Sequence, residues 1–142
     1  MVSKYLNRIS GPMLDRLDLH IEVPPVEYEE LRDTASGESS ATIRERVNRA
    51  RAIQNERYKG TGVTCNARLT PALLKKHCVL SDAAAKLLQA SFDSLGMSAR
   101  AYDRILKVAR TVADLAGSEN IEIEHISEAI QFRSLDRKYW GD

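Results

Sequence analysis

Two arginines pose the chemical question. Arg16 lies in "SGPMLDRLDL" (10–19), flanked by Asp15 and Asp18, where a turn or helix runs straight into an alternating pattern. A guanidinium there has two uses. It can pair with a neighbouring carboxylate at the surface, worth under about 1 kcal/mol, or it can reach for an anion that this chain does not itself hold. Arg100 lies in "GMSARAYDR" (96–104), two residues after Ser98. Ser98 suits an N-cap, which places Arg100 in the first helical turn. A cation there opposes the helix dipole, at a cost of roughly a few tenths of a kcal/mol. An anion at that helix end reverses the cost, because free backbone N–H groups and the guanidinium then share one target. Arg100 is therefore a candidate phosphate ligand, set against the plainer reading of a surface arginine lying over its neighbours.

Other chemistry-bearing residues offer less. Arg44, Arg46, Arg49, Arg51 and Arg57 spread around one helical stretch and interleave with Glu45 and Glu56. That pattern fits a solvated face better than a phosphate-tracking stripe, since no aromatic residues interleave with them. His77, Cys78 and Cys65 make at most three metal ligands with no fourth, so no zinc site and no other metal site is expected. His20 and His125 have no triad-like partners. No G-x-x-x-x-G-K-[ST] loop and no acidic metal-binding strand motif occurs in the sequence.

Composition narrows the class further. With 142 residues, a net charge of +1 and 29% charged residues, no global field points to nucleic acid or membrane. No apolar run approaches the ~18 residues of a membrane span, and no signal-peptide pattern opens the chain. A cytoplasmic protein with two free thiols is expected.

The elements that must position the two arginines are mostly helices. Residues 2–10 suit a short helix, with 10–12 as a break or a restart around Pro12. Leu17, Leu19, Ile21 and Val23 alternate with Asp18, His20 and Glu22, which predicts a half-buried strand over 17–23 that Pro24 and Pro25 end. One strand has no sheet, so its partners are expected outside this chain, and Met1 reads as a start within a longer protein. Residues 26–40 turn acidic and then small and polar, as a flexible linker does. The stretch from Ser39 has Ser or Thr at its start, and Thr42 and Glu45 have capping-box spacing for a helix over 42–58, with Ile43, Val47, Ala50 and Ile53 as its apolar stripe and Gly60 as its stop.

Four more helices follow. Thr70 and Pro71 open one over 70–78. A second over 81–96 turns Ala84, Leu87, Leu88, Phe92 and Leu95 inward and stops at Gly96. The longest, over 98–117, presents Tyr102, Ile105, Ala109, Val112 and Ala116. The last, over 124–133, turns Ile126, Ala129 and Ile130 inward, and the tail after it carries Trp140. The expected fold is mainly α: a small helical bundle over 41–142, joined by the 26–40 linker to a helix and strand in 1–25.

Two long stretches carry a family resemblance, "SGPMLDRLDLHIEVP" (10–24) and "LGMSARAYDRILKVARTVADLAGSENIEIEHISEAIQFR" (95–133). Together they resemble the C-terminal end of the magnesium-chelatase-like AAA+ ATPases, and within them the bacterial competence ComM/YifB group. The resemblance implies that 1–25 closes an α/β AAA+ core and that the helices after the linker form the lid over a nucleotide. It implies that Arg16 is an arginine finger acting in trans on ATP held by the next subunit of a homo-oligomeric, hexameric ring. It also implies that Arg100 is the sensor 2 residue contacting the γ-phosphate of its own subunit's ATP. ATP and Mg²⁺ would be held by the upstream core, so this chain alone is expected to be inactive. The group's activity ranges from metal insertion into porphyrin to helicase action and branch migration on DNA during transformation. The competing expectation is a non-catalytic helical module that docks nucleic acid or protein through the arginine-rich helix.

Overall fold

The computed structural model describes residues 11–28 and 37–133. The expected helix over 2–10, most of the 26–40 linker and the Trp140 tail lie outside the described residues. Six α-helices are present among those described: α1 (Gly11–Leu14), α2 (Ser40–Arg57), α3 (Pro71–His77), α4 (Asp82–Leu95), α5 (Ala99–Ala116) and α6 (Ile123–Gln131). A 3₁₀ turn (Asn66–Arg68) sits between α2 and α3. The protein is a small, mainly helical bundle, as the periodicity predicts.

Helix ends follow local chemistry. The Thr70, Ser81 and Ser98 hydroxyls accept the backbone N–H of Leu73, Ala84 and Ala101 at 3.4, 3.4 and 3.1 Å, satisfying donors that have no carbonyl within the helix. Gly96 and Gly117 end α4 and α5 at φ of 58° and 70°, a left-handed geometry open to glycine without a Cβ penalty. At the start of α6 the His125 Nδ1 accepts the Glu122 backbone N–H at 3.0 Å.

α5 is the central helix, in contact with α2, α3, α6 and the 3₁₀ turn, while α4 packs on α6. Ala101, Ala109 and Ala113 let neighbouring helices approach α5 closely, and Ile105 and Leu106 fill the space between them. Leu88 of α4, Ile126 and Ala129 of α6, and Leu69, Leu74 and Tyr58 complete the core. Each fully buried Ile or Leu contributes about 1.5–3 kcal/mol. Ile121 crosses the chain before α4 as an isolated parallel bridge to Leu80, bonding Val79 O and Ser81 N at 3.0 Å each.

Four expectations change. Residues 17–23 form no strand: Arg16 and Leu17 donate to Met13 and Leu14 carbonyls in a turn, and His20 donates to Phe132 O at 2.8 Å. A strand needs a ladder, and among the described residues none lies beside this segment, so Leu17, Leu19, Ile21 and Val23 stay exposed. The cap of α2 is Ser39, not Thr42, with the Ser39 hydroxyl accepting from Thr42 N at 3.2 Å. The α2 stripe is not inward either. Ile43 and Val47 are 41% and 45% exposed, because only the C-terminal turns of α2 reach α5, where Ala50 and Gln54 are buried. Ala116 is exposed, since the buried face of α5 runs instead through Ala113 and Asp114. No helix among the described residues is long and apolar enough to cross a membrane.

Candidate functional site

The segment from Leu14 to His20 is a short loop closed on itself. Leu14 and His20 are buried at its two ends, and His20 Nε2 lies 3.3 Å from Leu14 O. Between them Arg16 is exposed. The carboxylates flanking it are committed elsewhere. Asp15 accepts from Ser98 Oγ at 3.0 Å through one oxygen and faces Arg133 Nη2 at 3.5 Å through the other. Asp18 pairs with Arg104. Arg133 also donates from Nη1 to Leu17 O at 2.8 Å. The local pairing of Arg16 with Asp15 or Asp18 is therefore not made. Among the described residues the Arg16 side chain makes neither hydrogen bond nor ion pair, so its guanidinium is free to meet an anion from outside.

Arg100 is the second residue of α5 and is exposed. Ser98 serves two purposes beside it, accepting from Ala101 N at 3.1 Å and donating to Asp15. That single serine ties the Arg16 loop to the first turn of α5. Two arginines far apart in sequence thus reside at one end of one helix, where unpaired backbone N–H groups also favour an anion.

The other end of α5 carries a buried ionic cluster. Asp114 accepts both terminal nitrogens of Arg57 at 2.9 and 2.5 Å, Arg110 Nε at 3.2 Å and Asn66 Nδ2 at 2.9 Å. Arg110 spends its remaining nitrogens on the Glu119 and Ser118 carbonyls, at 2.7 Å each, closing the turn that leads to α6. Tyr58 donates to Asn66 Oδ1 at 2.5 Å. The hydrogen bonds to Asp114 hold the Arg57 guanidinium above its ordinary pKa, while burial lowers that of Arg110 against the pull of Asp114. This cluster is structural: it anchors the C-terminus of α2 and the end of α5 to each other.

The remaining candidates separate as follows. Arg57 belongs to the cluster, whereas Arg44, Arg46, Arg49 and Arg51 lie on exposed turns of α2, Arg46 paired with Glu38 at 2.6 Å. Cys78 is buried, which pushes its thiol up to about 11. Burial also raises the Cys65 thiol, but hydrogen bonds from Arg51 and from the backbone of Arg68 and Ala67 outweigh it and bring it below its ordinary value. Burial, helped by Lys76, Arg57 and Arg110, lowers His77, which stands edge-on to Tyr58 at 5.3 Å. Among the described residues His, Cys, Asp and Glu form no cluster of three. His125 and His20 have local duties, the one at a helix start and the other closing the Arg16 loop.

Sequence reasoning missed the residues that hold the loop: Ser98 as a donor, Arg104 and Arg133. One signal for Arg133 was present. It falls on the same helical stripe as Ile126, Ala129 and Ile130, an arginine on an apolar face. Arg104 sits one turn beyond Arg100, within reach of the same end of α5.

With this geometry in view, the family comparisons are consistent with it. The family "Magnesium chelatase, subunit ChlI C-terminal" matches residues 37–133, and "Magnesium chelatase, subunit ChlI" matches residues 1–31. The chain belongs to the magnesium chelatase ChlI family of AAA+ proteins. Among its relatives, the competence protein ComM of Haemophilus influenzae is 44% identical over 137 residues, 96% of this chain and 26% of that protein. The uncharacterized proteins YifB of Salmonella typhimurium and Escherichia coli are 44% and 42% identical over 135 residues, 94% of this chain and 26% of each relative. The chain thus spans about a quarter of the length of the curated relatives it matches.

Proposed function

We propose that this chain is the lid-and-finger end of an oligomeric AAA+ ATPase that couples ATP hydrolysis to remodelling of DNA. In this reading Arg16 reaches across a subunit interface to the γ-phosphate of a neighbour's ATP, and Arg100 contacts a γ-phosphate from the first turn of α5. The observation that carries it is the free guanidinium of Arg16 on a loop whose two neighbouring carboxylates are both engaged by other side chains. A finger must be held by its base and unpaired at its tip. The residues of the site suit phosphate, being cationic and next to a helix N-terminus. They offer Mg²⁺ no ligand set, so ATP and Mg²⁺ would be held by residues beyond this chain, in keeping with the lack of a phosphate-binding loop in the sequence. Bound Mg²⁺ would neutralise charge on the phosphates during transfer.

The DNA part of the reading draws on the competence name of one relative and on the exposed arginines of α2. Phosphate contacts by such residues are sequence-independent and salt-dependent.

The test is turnover by the full-length protein. Arg16→Ala should assemble and bind ATP but hydrolyse it about 10³–10⁵-fold more slowly, the range that arginine fingers command in other nucleotide hydrolases. Mixing it with subunits that keep Arg16 but have a disabled phosphate-binding loop should restore activity, since each supplies what the other lacks. Normal turnover by Arg16→Ala refutes the finger. The same mixing applied to Arg100→Ala tells whose nucleotide Arg100 serves: no rescue assigns it to its own subunit, and rescue assigns it to the neighbour's.

A further inference from the structure

A finger is useful only if its backbone is fixed, and the loop holding Arg16 has little structure of its own. α1 is a four-residue helix, and Arg16 and Leu17 are held locally only by turn bonds of 3.0 Å. The residue that grips them comes from the far end of the described chain. Arg133, 3% exposed, follows α6 and reaches the residues on both sides of Arg16. Its Nη1 donates to Leu17 O at 2.8 Å, and its Nη2 faces Asp15 Oδ1 at 3.5 Å. The backbone just before it joins in, since Phe132 O accepts from His20 N at 2.8 Å. The planar fork of a guanidinium fixes direction as well as distance, which an ammonium does not. A long side chain buried this deeply, yet spent on an exposed loop, makes little sense as core packing alone.

We propose that Arg133 is the positioning residue for Arg16: its guanidinium holds the Leu17 carbonyl on one side of the finger and faces the Asp15 carboxylate on the other, and couples the finger's aim to the packing of α6. This rests on reading Arg16 as the finger. Arg133 touches no nucleotide and acts only through the loop. Because α6 packs on both α4 and α5, a shift of the lid helices is passed by this side chain to the residues on both sides of Arg16. The lid of one subunit thereby regulates hydrolysis of the ATP that its finger serves.

The experiment uses the full-length ATPase with Arg16→Ala, Arg133→Met, Arg133→Lys and the double variant Arg16→Ala/Arg133→Met. Arg133→Met should lower kcat about 10- to 100-fold, the scale of a roughly 1 Å misplacement of a catalytic group, with assembly and the KM for ATP unchanged. Arg133→Lys should recover part of the loss by keeping one of the two contacts. In the double variant, Arg133→Met should cost nothing beyond Arg16→Ala, because two residues acting as one unit are not additive. Should Arg133→Met fail to assemble, Asp15→Asn gives the same comparison. It keeps the shape and the Ser98 bond while removing the charge that Arg133 faces, and should lower kcat about 3- to 10-fold unless Arg16 is already Ala. Unchanged kcat in Arg133→Met or Asp15→Asn beside an impaired Arg16→Ala overturns the positioning role and leaves the finger standing. Losses that multiply in the double variant, or a rise in KM that accounts for the defect, overturn it as well. Normal turnover by Arg16→Ala overturns the finger reading, and the positioning role with it.

Discussion

Asp114→Ala tests whether the cluster at the end of α5 holds the bundle together. Asp114 and Arg110 are 2% and 1% exposed, so deleting the carboxylate strands a guanidinium that water cannot reach. Removing one partner of a buried ion pair costs about 3–5 kcal/mol. Asn66 loses an acceptor too, adding about 1 kcal/mol. Arg57 loses less, because its side chain is 16% exposed and water can replace part of the bond. The sum is about 4–6 kcal/mol, a large share of the ~5–15 kcal/mol that stabilises an ordinary domain. With a urea dependence of about 1–3 kcal/mol per molar, the midpoint should fall by about 1.3–6 M. Far-UV circular dichroism against urea measures this on the 142-residue chain. Glu38→Ala is the control: it removes the exposed partner of Arg46 and should leave the midpoint where it was. Arg110→Met combined with Asp114→Leu should regain part of the loss by removing both charges. A cost under about 1 kcal/mol for Asp114→Ala would mean that solvent reaches Arg110 after all, and would refute the reasoning.

The thiols should separate in alkylation at pH 8, Cys65 reacting well before Cys78, because the buried Cys78 thiol titrates near 11 while the Cys65 thiol lies below its ordinary value; equal rates in a mass-spectrometric time course contradict that. His77 is held neutral in the fold, its pKa below that of the unfolded chain, so its contribution to stability is full above pH ~6.5 and declines as pH falls toward its folded value. His77→Gln should flatten the stability profile on the acid side of that pH, as urea midpoints at pH 5 and pH 7.5 would report, and an unchanged slope counts against it.

The helices were readable because their caps are local chemistry. Thr70, Ser81 and Ser98 each act within three residues, and Gly96 and Gly117 end helices by their own backbone geometry. Arg16 and Arg100 stood out for a similar reason, each a charge at odds with its immediate surroundings. What sequence could not show was the destination of long side chains. Asp15 and Asp18 seemed natural partners for Arg16 by proximity, yet they bond Ser98, Arg133 and Arg104, residues 83 to 118 positions away. The alternation over 17–23 misled because period two records which side chains want cover, while a strand also needs a neighbour to bond. The α2 stripe misled likewise: the pattern was present, but most of it has nothing opposite to pack against among the described residues.

One consequence lies in the length of α5. Its 18 residues make a rod about 27 Å long. One end meets the Arg16 loop through Ser98, and the other is bolted to α2 through Asp114 and Arg57. α2 in turn is another rod of 18 residues, with its first half unsupported. Two stiff arms joined at a buried pivot make a mechanical amplifier. Tilting the first by about 10° at its Ser98 end carries the pivot through about 5 Å, and the free tip of α2 sweeps further still. A small rearrangement at the Ser98 end becomes a displacement several times larger at the arginine-bearing tip.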